Sequence, residues 1–429
     1  MSIKELLGKK RLYLDGGMGT MLQRAGLAAG ELPERWNLTH PDEVTAIHAA
    51  YLEAGANIVT TNTFGAYRFK YSDLEDVIAA AVANARRAAE GCTHPDEAWV
   101  AYDVGPLGKL LEPMGDLSFE EAVSIFADSI RIAVGQGVDL IIIETMNDAY
   151  ETKAAVVAAK ECCELPIFVT NVFDENGRLL TGADCRVMAN LLESLGVDAV
   201  GMNCSLGPHQ MAGVAKRYLT ETDLPVIVSP NAGLPRVVDG KTVYDVTAEE
   251  FGATAAEIAG AGAAVLGGCC GTDPEFIRCV TELTRNIPLQ RKTTERDPVV
   301  TSYCKSVALE ENPFSLGEPL AVAGVDEDDL EDLADEAMDQ LDDDVEIITL
   351  DLTGAQPGMA ALAVRKVQEL VNAPLALLGS GAELEEAMRA YNGKPLVLIS
   401  EEDQRESVFP PISRYGGKLA LLKDGAAVI

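Results

Sequence analysis

The chain has 429 residues, with 68 acidic side chains against 34 basic ones and a formal net charge of −34. That length exceeds one ordinary domain unless the domain is a barrel with something attached, so two domains are expected. The charge disfavours nucleic acid and anionic membrane surfaces, which would repel it, and no apolar run is long enough to span a bilayer. The opening MSIKELLGKKR lacks the apolar segment of a signal peptide. Nine cysteines, an odd number, then point to a reduced compartment rather than a disulfide framework. A soluble, cytoplasmic protein with thiols free to bind metal is expected.

In chain order, short runs rich in Val, Ile and Leu alternate with helical patterns. RLYLDGG ends at Asp15 to Gly17, ANIVTTNTF carries Thr60 to Asn62, WVAYDVGP carries Asp103, and DLIIIETM carries Glu144. PIFVTNVF carries Thr170 and Asn171, AVGMNCS carries Cys204, PVIVSPNAGLP carries Asn231, and AAVLGGCC ends at Cys269 and Cys270. Between them lie amphipathic stretches such as DEVTAIHAAYLEAG and EEFGATAAEIAGAG, each closed by a glycine suited to a C-cap. Eight strand-then-helix units with continuous apolar strands predict an α/β fold, a parallel sheet closed into a (β/α)8 TIM barrel over residues 1–290. The carboxyl ends of such strands meet on one rim, so Asp15, Glu144, Cys204, Asn231, Cys269 and Cys270 are expected to face one pocket. Asp103 and several strand-end Thr and Asn residues are read instead as caps of turns or of the next helix.

Cys269 and Cys270 are neighbours, and both can reach one metal only if the backbone turns sharply; Gly267, Gly268 and Gly271 permit that. Cys204 would add a third thiolate from a strand two places round the barrel. Three protein ligands at a pocket mouth match a catalytic zinc site, which keeps its fourth position for water or substrate, and soft sulfur favours zinc over magnesium or calcium. The chemistry that needs such a site is activation of a thiol, which at neutral pH is mostly protonated when free. The pair Cys162 and Cys163, on a helical pattern, reads as two small buried hydrophobes, as do Cys92, Cys185, Cys279 and Cys304. DGGMGT lacks the patterns of a phosphate-binding loop.

LDGGMGTMLQ, TNTFGA, GMNCSLGP, PNAGLP and GGCCGTDPEFI, in this order, resemble the homocysteine S-methyltransferase domain shared by cobalamin-dependent methionine synthase and betaine-homocysteine methyltransferase. The resemblance covers about residues 5 to 290. It implies a barrel in which Cys204, Cys269 and Cys270 hold zinc and homocysteine supplies the fourth, sulfur ligand. It further implies that Asp15 and Glu144 hold the homocysteine amino group, with Gly16 of the same DGG turn in the substrate site and Asn231 near the metal. The implied reaction is direct displacement, a thiolate taking a methyl group from its donor to give methionine.

RKTTERDPVVTSYCKS opens a polar stretch read as a linker over residues 291–312, and residues 313–429 then repeat β and α signals. The runs are PLAVAGV, VEIITLDL, PLALLGS, PLVLIS and KLALLKD. The first helical pattern places Leu330, Leu333, Ala334, Ala337, Met338 and Leu341 on one stripe, with a solvated acidic face. About half of the negative excess lies after residue 300. AMRAYNGKPLVLIS resembles the pterin-binding barrel that follows the homocysteine domain in cobalamin-dependent methionine synthase, but only about five of eight units are present. At the strand ends where that family has polar pterin ligands stand Thr349, Asp351, Leu378 and Leu398, so folate binding is expected to be lost. A smaller, truncated barrel-like α/β domain follows, whose sheet edge needs cover from the first domain, a partner or a second copy in a homo-oligomer.

No DxHxxG motif surrounds His40, His48, His94 or His209, so this chain alone is not expected to bind a corrinoid. The expected function is therefore zinc-dependent methyl transfer to homocysteine, with methylcobalamin or another methylcorrinoid on a separate protein as donor. Two other readings stand beside it: a small donor such as S-methylmethionine or a betaine, and a non-catalytic subunit that binds zinc or a thiol.

Overall fold

The computed structural model describes residues 3–94, 97–238, 241–290, 296–309, 314–423 and 426–429. They fall into two compact units, residues 1–180 with 197–294, and residues 181–196 with 295–429. Among the described residues no helix is long and apolar enough to cross a membrane.

The first unit is built on the eight expected strands. They are Leu12–Tyr13, Ile58–Thr60, Trp99–Val104, Leu140–Met146, Ile167–Asn171, Ala199–Asn203, Val226–Ser229 and Val265–Leu266. All pair in parallel, in ring order, and the first pairs with the eighth. A bridge from Leu14 to Ile58 and a hydrogen bond from Asn57 N to Tyr13 O (2.8 Å) close the ring on its other side. Helices between strands start at side-chain caps: Ser118, Asp148, Thr247 and Asp273 each accept a backbone N–H of the first turn. Gly55 and Gly262, in the left-handed region, end two of them as expected.

Side chains alternate along each strand, and one set fills the barrel. Leu12, Leu14, Ile58, Trp99, Ala101, Leu140, Ile142, Phe168, Ala199, Ile227 and Val265 form one buried cluster, floored by Ile3. The next inward position on each strand is polar or glycine: Gly16, Thr60, Asp103, Glu144, Thr170, Gly201 (with Asn203 beyond it), Ser229 and Gly267. The apolar filling therefore stops one layer below the mouth.

The second unit carries a six-stranded sheet of Leu320–Ala321, Ile348–Asp351, Leu375–Leu378, Leu396–Ile399, Lys418–Lys423 and Ala426–Val428. The five expected strands are parallel, and the last, which the sequence reading did not contain, is antiparallel. Within the stretch expected to be a linker, Val299–Thr301 and Ser306–Ala308 form an antiparallel ribbon, with Val299 and Val300 buried. Two apolar pairs in a polar stretch are enough, because they land on the sheet. Val300, Val307, Leu309 and Phe314 pack against Ile347, Ala376, Leu378, Leu396, Leu398 and Ala420. Thr301 and Lys394 exchange backbone hydrogen bonds at 2.9 and 3.0 Å.

Helix Cys185–Ser194 groups with this unit although it lies between the fifth and sixth strands in sequence. Glu193 pairs with Arg296 at 3.3 Å, which helps explain why the units do not divide at residue 290 alone. Helix Leu330–Asp342 buries Leu330, Leu333, Ala334 and Ala337, while Met338, expected on the stripe, is exposed at its edge.

Gly201 tests the tightness of the barrel. A Cβ there would stand 1.9 Å from the carbonyl oxygen of Ile227 on the neighbouring strand. Gly201→Ala should lower unfolding stability by about 2 kcal/mol or more, read as a fall in the urea midpoint; an unchanged midpoint would contradict this packing.

Candidate functional site

Cys204 follows the sixth strand, and its backbone turns left-handed, with φ of 60° at Cys204 and 54° at Ser205. Such a conformation is uncommon outside glycine and clusters at functional sites. Cys204 N donates to Ser229 O at 3.1 Å, which ties the turn to the seventh strand. On the eighth strand's loop, Cys269 N donates to Pro230 O (2.8 Å), and Cys270 O accepts from Ala232 N (2.9 Å). The glycines around the pair serve close approach more than bending. A Cβ on Gly268 would lie 2.4 Å from Thr272 Oγ1, and one on Gly267 2.8 Å from Leu14 Cβ. Only Gly271, with φ of 83°, uses the left-handed region there.

The three sulfur atoms lie within 4.8 Å of one another, and Cys204 Sγ stands 4.0 Å from Cys270 Sγ. Sulfurs about 2.3 Å from a tetrahedral zinc would be roughly 3.8 Å apart, so the set fits such an ion with little adjustment. Cys270 is exposed, whereas Cys204 and Cys269 are partly covered. Hydrogen bonds with Cys269 and Cys270 hold the Cys204 thiol far below its ordinary range, and those with Cys204 and Cys270 push Cys269 up. Among the described residues no other group of His, Cys, Asp and Glu has metal-holding geometry. Cys162 and Cys163 are half-buried at a helix end, Cys92, Cys279 and Cys304 are half-buried, and Cys185 is buried.

Asp15 is buried, and its Oδ2 accepts from Thr60 N at 2.8 Å. Burial pushes its carboxyl up to about 7 despite the Thr60 hydrogen bonds. Burial, then Asp15 and Cys204, push Glu144 up to about 8. The residue after Glu144 is Thr145, at φ of 63°, where the fourth strand bulges. Gly16 packs so closely that a Cβ would meet Thr272 Oγ1 at 2.6 Å and Tyr51 at 2.9 Å. Asn231 N donates to Leu206 O (3.0 Å), and its buried Oδ1 has no hydrogen-bond partner among the described residues.

Two residues were missed. Asp103, read as a cap, points into the barrel by strand alternation. Its buried Oδ1 has no partner among the described residues, and burial, with Glu144 and Asp15, pushes it well up. Counting by twos from Ala101 would have revealed it. Asn203 hydrogen-bonds towards both Glu144 and Cys269, and its place beside Cys204 hid it.

The family model for homocysteine S-methyltransferase matches residues 12–284. The chain belongs to that family of methyltransferases. It is 28% identical over 459 aligned positions to methionine synthase of Mycobacterium tuberculosis (strain ATCC 25618 / H37Rv), covering 99% of this chain and 38% of that protein. It is 31% identical over 336 positions to methionine synthase of Mycobacterium leprae (strain TN), covering 73% and 28% respectively. The chain thus spans well under half the length of these curated relatives. Its fold is similar to that of the metallated form of the homocysteine methyltransferase MmuM from Escherichia coli. There the TM-score is 0.55 at 22% identity, covering 64% of this chain and 96% of the other.

The raised Asp15 carboxyl has a consequence for this family member's stability. Its ordinary value is 3.8, against about 7 in the folded chain. Between those values the native state binds the extra proton, so stability falls as pH rises, by at most roughly 1.4 kcal/mol per pH unit from this group. In metal-stripped protein, Asp15→Asn should lose less stability than wild type between pH 5 and pH 8 in urea unfolding. Equal losses would contradict the buried carboxyl.

Proposed function

We propose that this chain transfers a methyl group to the thiol of homocysteine, giving methionine, with Cys204, Cys269 and Cys270 holding zinc and a separate methylcorrinoid protein as donor. The observation that carries this reading is the convergence of three sulfur atoms within 4.8 Å, on the same mouth as the buried Asp15 and half-buried Glu144 carboxyl groups. When bound, zinc would supply the Lewis acidity that keeps a coordinated thiol deprotonated at neutral pH.

The chain's own residues do the rest. Asp15 and Glu144 receive the substrate's ammonium group, whose charge favours the ionised form of both carboxyls. Asn231, with a buried acceptor unused, offers a further polar contact at the same mouth. The packed floor beneath, which includes Leu14 and Ile142, keeps water from reaching the site from below. The transfer forms one S–C bond as the donor's bond to the methyl carbon breaks, and asks for position rather than for a base.

Two observations support a macromolecular donor. Phe64, Phe69, Leu110 and Met114, on loops after the second and third strands, are large and exposed, as side chains at a protein-binding surface are. In the second unit, Leu378 and Leu398 are buried against the ribbon, which supports the loss of a folate site there.

The test is a donor screen on zinc-loaded protein, measuring methionine formed from homocysteine. Methylcobalamin should support turnover and methyltetrahydrofolate should not. Cys270→Ala should lose both bound metal and turnover, by more than the roughly 10–100-fold typical of losing an outer-shell partner. Retained turnover in that variant would remove the reading. Turnover with S-methylmethionine or betaine alone would replace the donor, and thiol binding without any turnover would favour a non-catalytic subunit.

A further inference from the structure

Asn203 ends the sixth strand one residue before Cys204 and is 1% exposed. Its Oδ1 accepts from Thr145 N at 2.9 Å and from the Thr170 hydroxyl at 2.9 Å. A backbone N–H can only donate, so this contact fixes which way round the amide lies. The Nδ2 group therefore faces Glu144 and Cys269. It stands 2.8 Å from Thr145 Oγ1, 3.3 Å from Glu144 Oε2 and 3.7 Å from Cys269 Sγ. One rigid amide thus reaches a carboxylate on the fourth strand and a sulfur on the loop after the eighth.

We propose that Asn203 is a positioning residue that sets the span between the Glu144 carboxylate and the sulfur cluster, and thereby selects thiols that carry an amino group at homocysteine's separation. This rests on the methyl-transfer reading above, because that reading makes Glu144 the ammonium site and Cys269 a metal ligand. The local backbone agrees with the role. Thr145 is β-branched and held at φ of 63°, a conformation such residues rarely adopt. Asn203 clamps it at both its N–H and its hydroxyl, and Glu144 is the preceding residue. Losing the amide would remove its direct contact with the Glu144 carboxylate as well as its hold on the turn.

A role limited to holding that turn makes a different prediction, and Thr145→Gly separates the two, since glycine adopts positive φ without strain. Asn203→Ala and the double variant Asn203→Ala with Thr145→Gly would be compared with wild type by zinc content and by calorimetric titration. The ligands are homocysteine and 4-mercaptobutyrate, a thiol of the same length without the amino group. Both variants should retain zinc and bind 4-mercaptobutyrate like wild type, but bind homocysteine on the order of 10–100-fold more weakly, the usual cost of an outer-shell partner. Recovery of homocysteine binding in the double variant, or equal losses for both thiols, would overturn the positioning role. Wild-type protein that binds neither thiol would overturn the methyl-transfer reading and this inference with it.

Discussion

Closure of the barrel between its first and eighth strands is the constraint on which the site depends. The two loops meet backbone to backbone: Gly268 N donates to Asp15 O at 3.0 Å, and Gly271 N to the Thr20 hydroxyl at 2.9 Å. Thr272 sits at the centre, its hydroxyl donating to Cys269 O at 2.7 Å and accepting from Gly17 N at 3.2 Å. Side chains at Gly16, Gly17 or Gly268 would push these loops apart. The bonds that complete the ring are thus the ones that fix Asp15 and the cysteine pair. A slip of one residue would turn inward-facing groups outward on that strand.

Ending the apolar filling one layer early has an electrostatic cost. Asp15, Asp103 and Glu144 sit in a place where an unpaired charge is expensive. The folded chain meets that cost by keeping protons, as the raised values of Asp15 and Glu144 indicate. The sulfurs follow the same logic, since hydrogen bonds with its two neighbours favour the ionised form of Cys204. Under the proposed function both halves of the mouth would exchange protons for cations, an ammonium on the carboxylate side and a metal ion on the sulfur side. Such binding releases protons, so affinity on either side rises with pH until the groups ionise on their own.

The eight strands were legible because parallel strands buried on both faces are written as unbroken apolar runs. The sulfur set was legible because Cys204, Cys269 and Cys270 all stand at strand ends, and strand ends share a rim. Asp103 was not, because an acid after an apolar run also fits a turn cap, and only the inward parity of Ala101 separates the two. Asn203 was hidden for another reason: its importance lies in reaching across from the sixth strand to the fourth and the eighth, a register that no local pattern records. The ribbon at Val299–Ala308 shows a further limit. Two apolar pairs in polar surroundings carry too little periodicity to announce a strand, yet they suffice once a sheet offers a matching face.

The two sheets differ in what their inward positions carry at the strand ends. In the barrel the step beyond Ala101, Ile142 and Ala199 leads to Asp103, to Glu144 and, after Gly201, to Asn203. In the second unit the step beyond Ala376 and Leu396 leads to Leu378 and Leu398, and the ribbon with Phe314 packs over them. The exception is Thr349, whose buried hydroxyl has no partner among the described residues. An aliphatic layer covered by the chain's own residues has no donors or acceptors with which to orient a polar ligand. Parallel strands supply a rim in both units, but only in the first does the change from apolar to polar occur before the rim is reached. That change, rather than the sheet itself, is what gives one unit a site for chemistry and leaves the other a packed face.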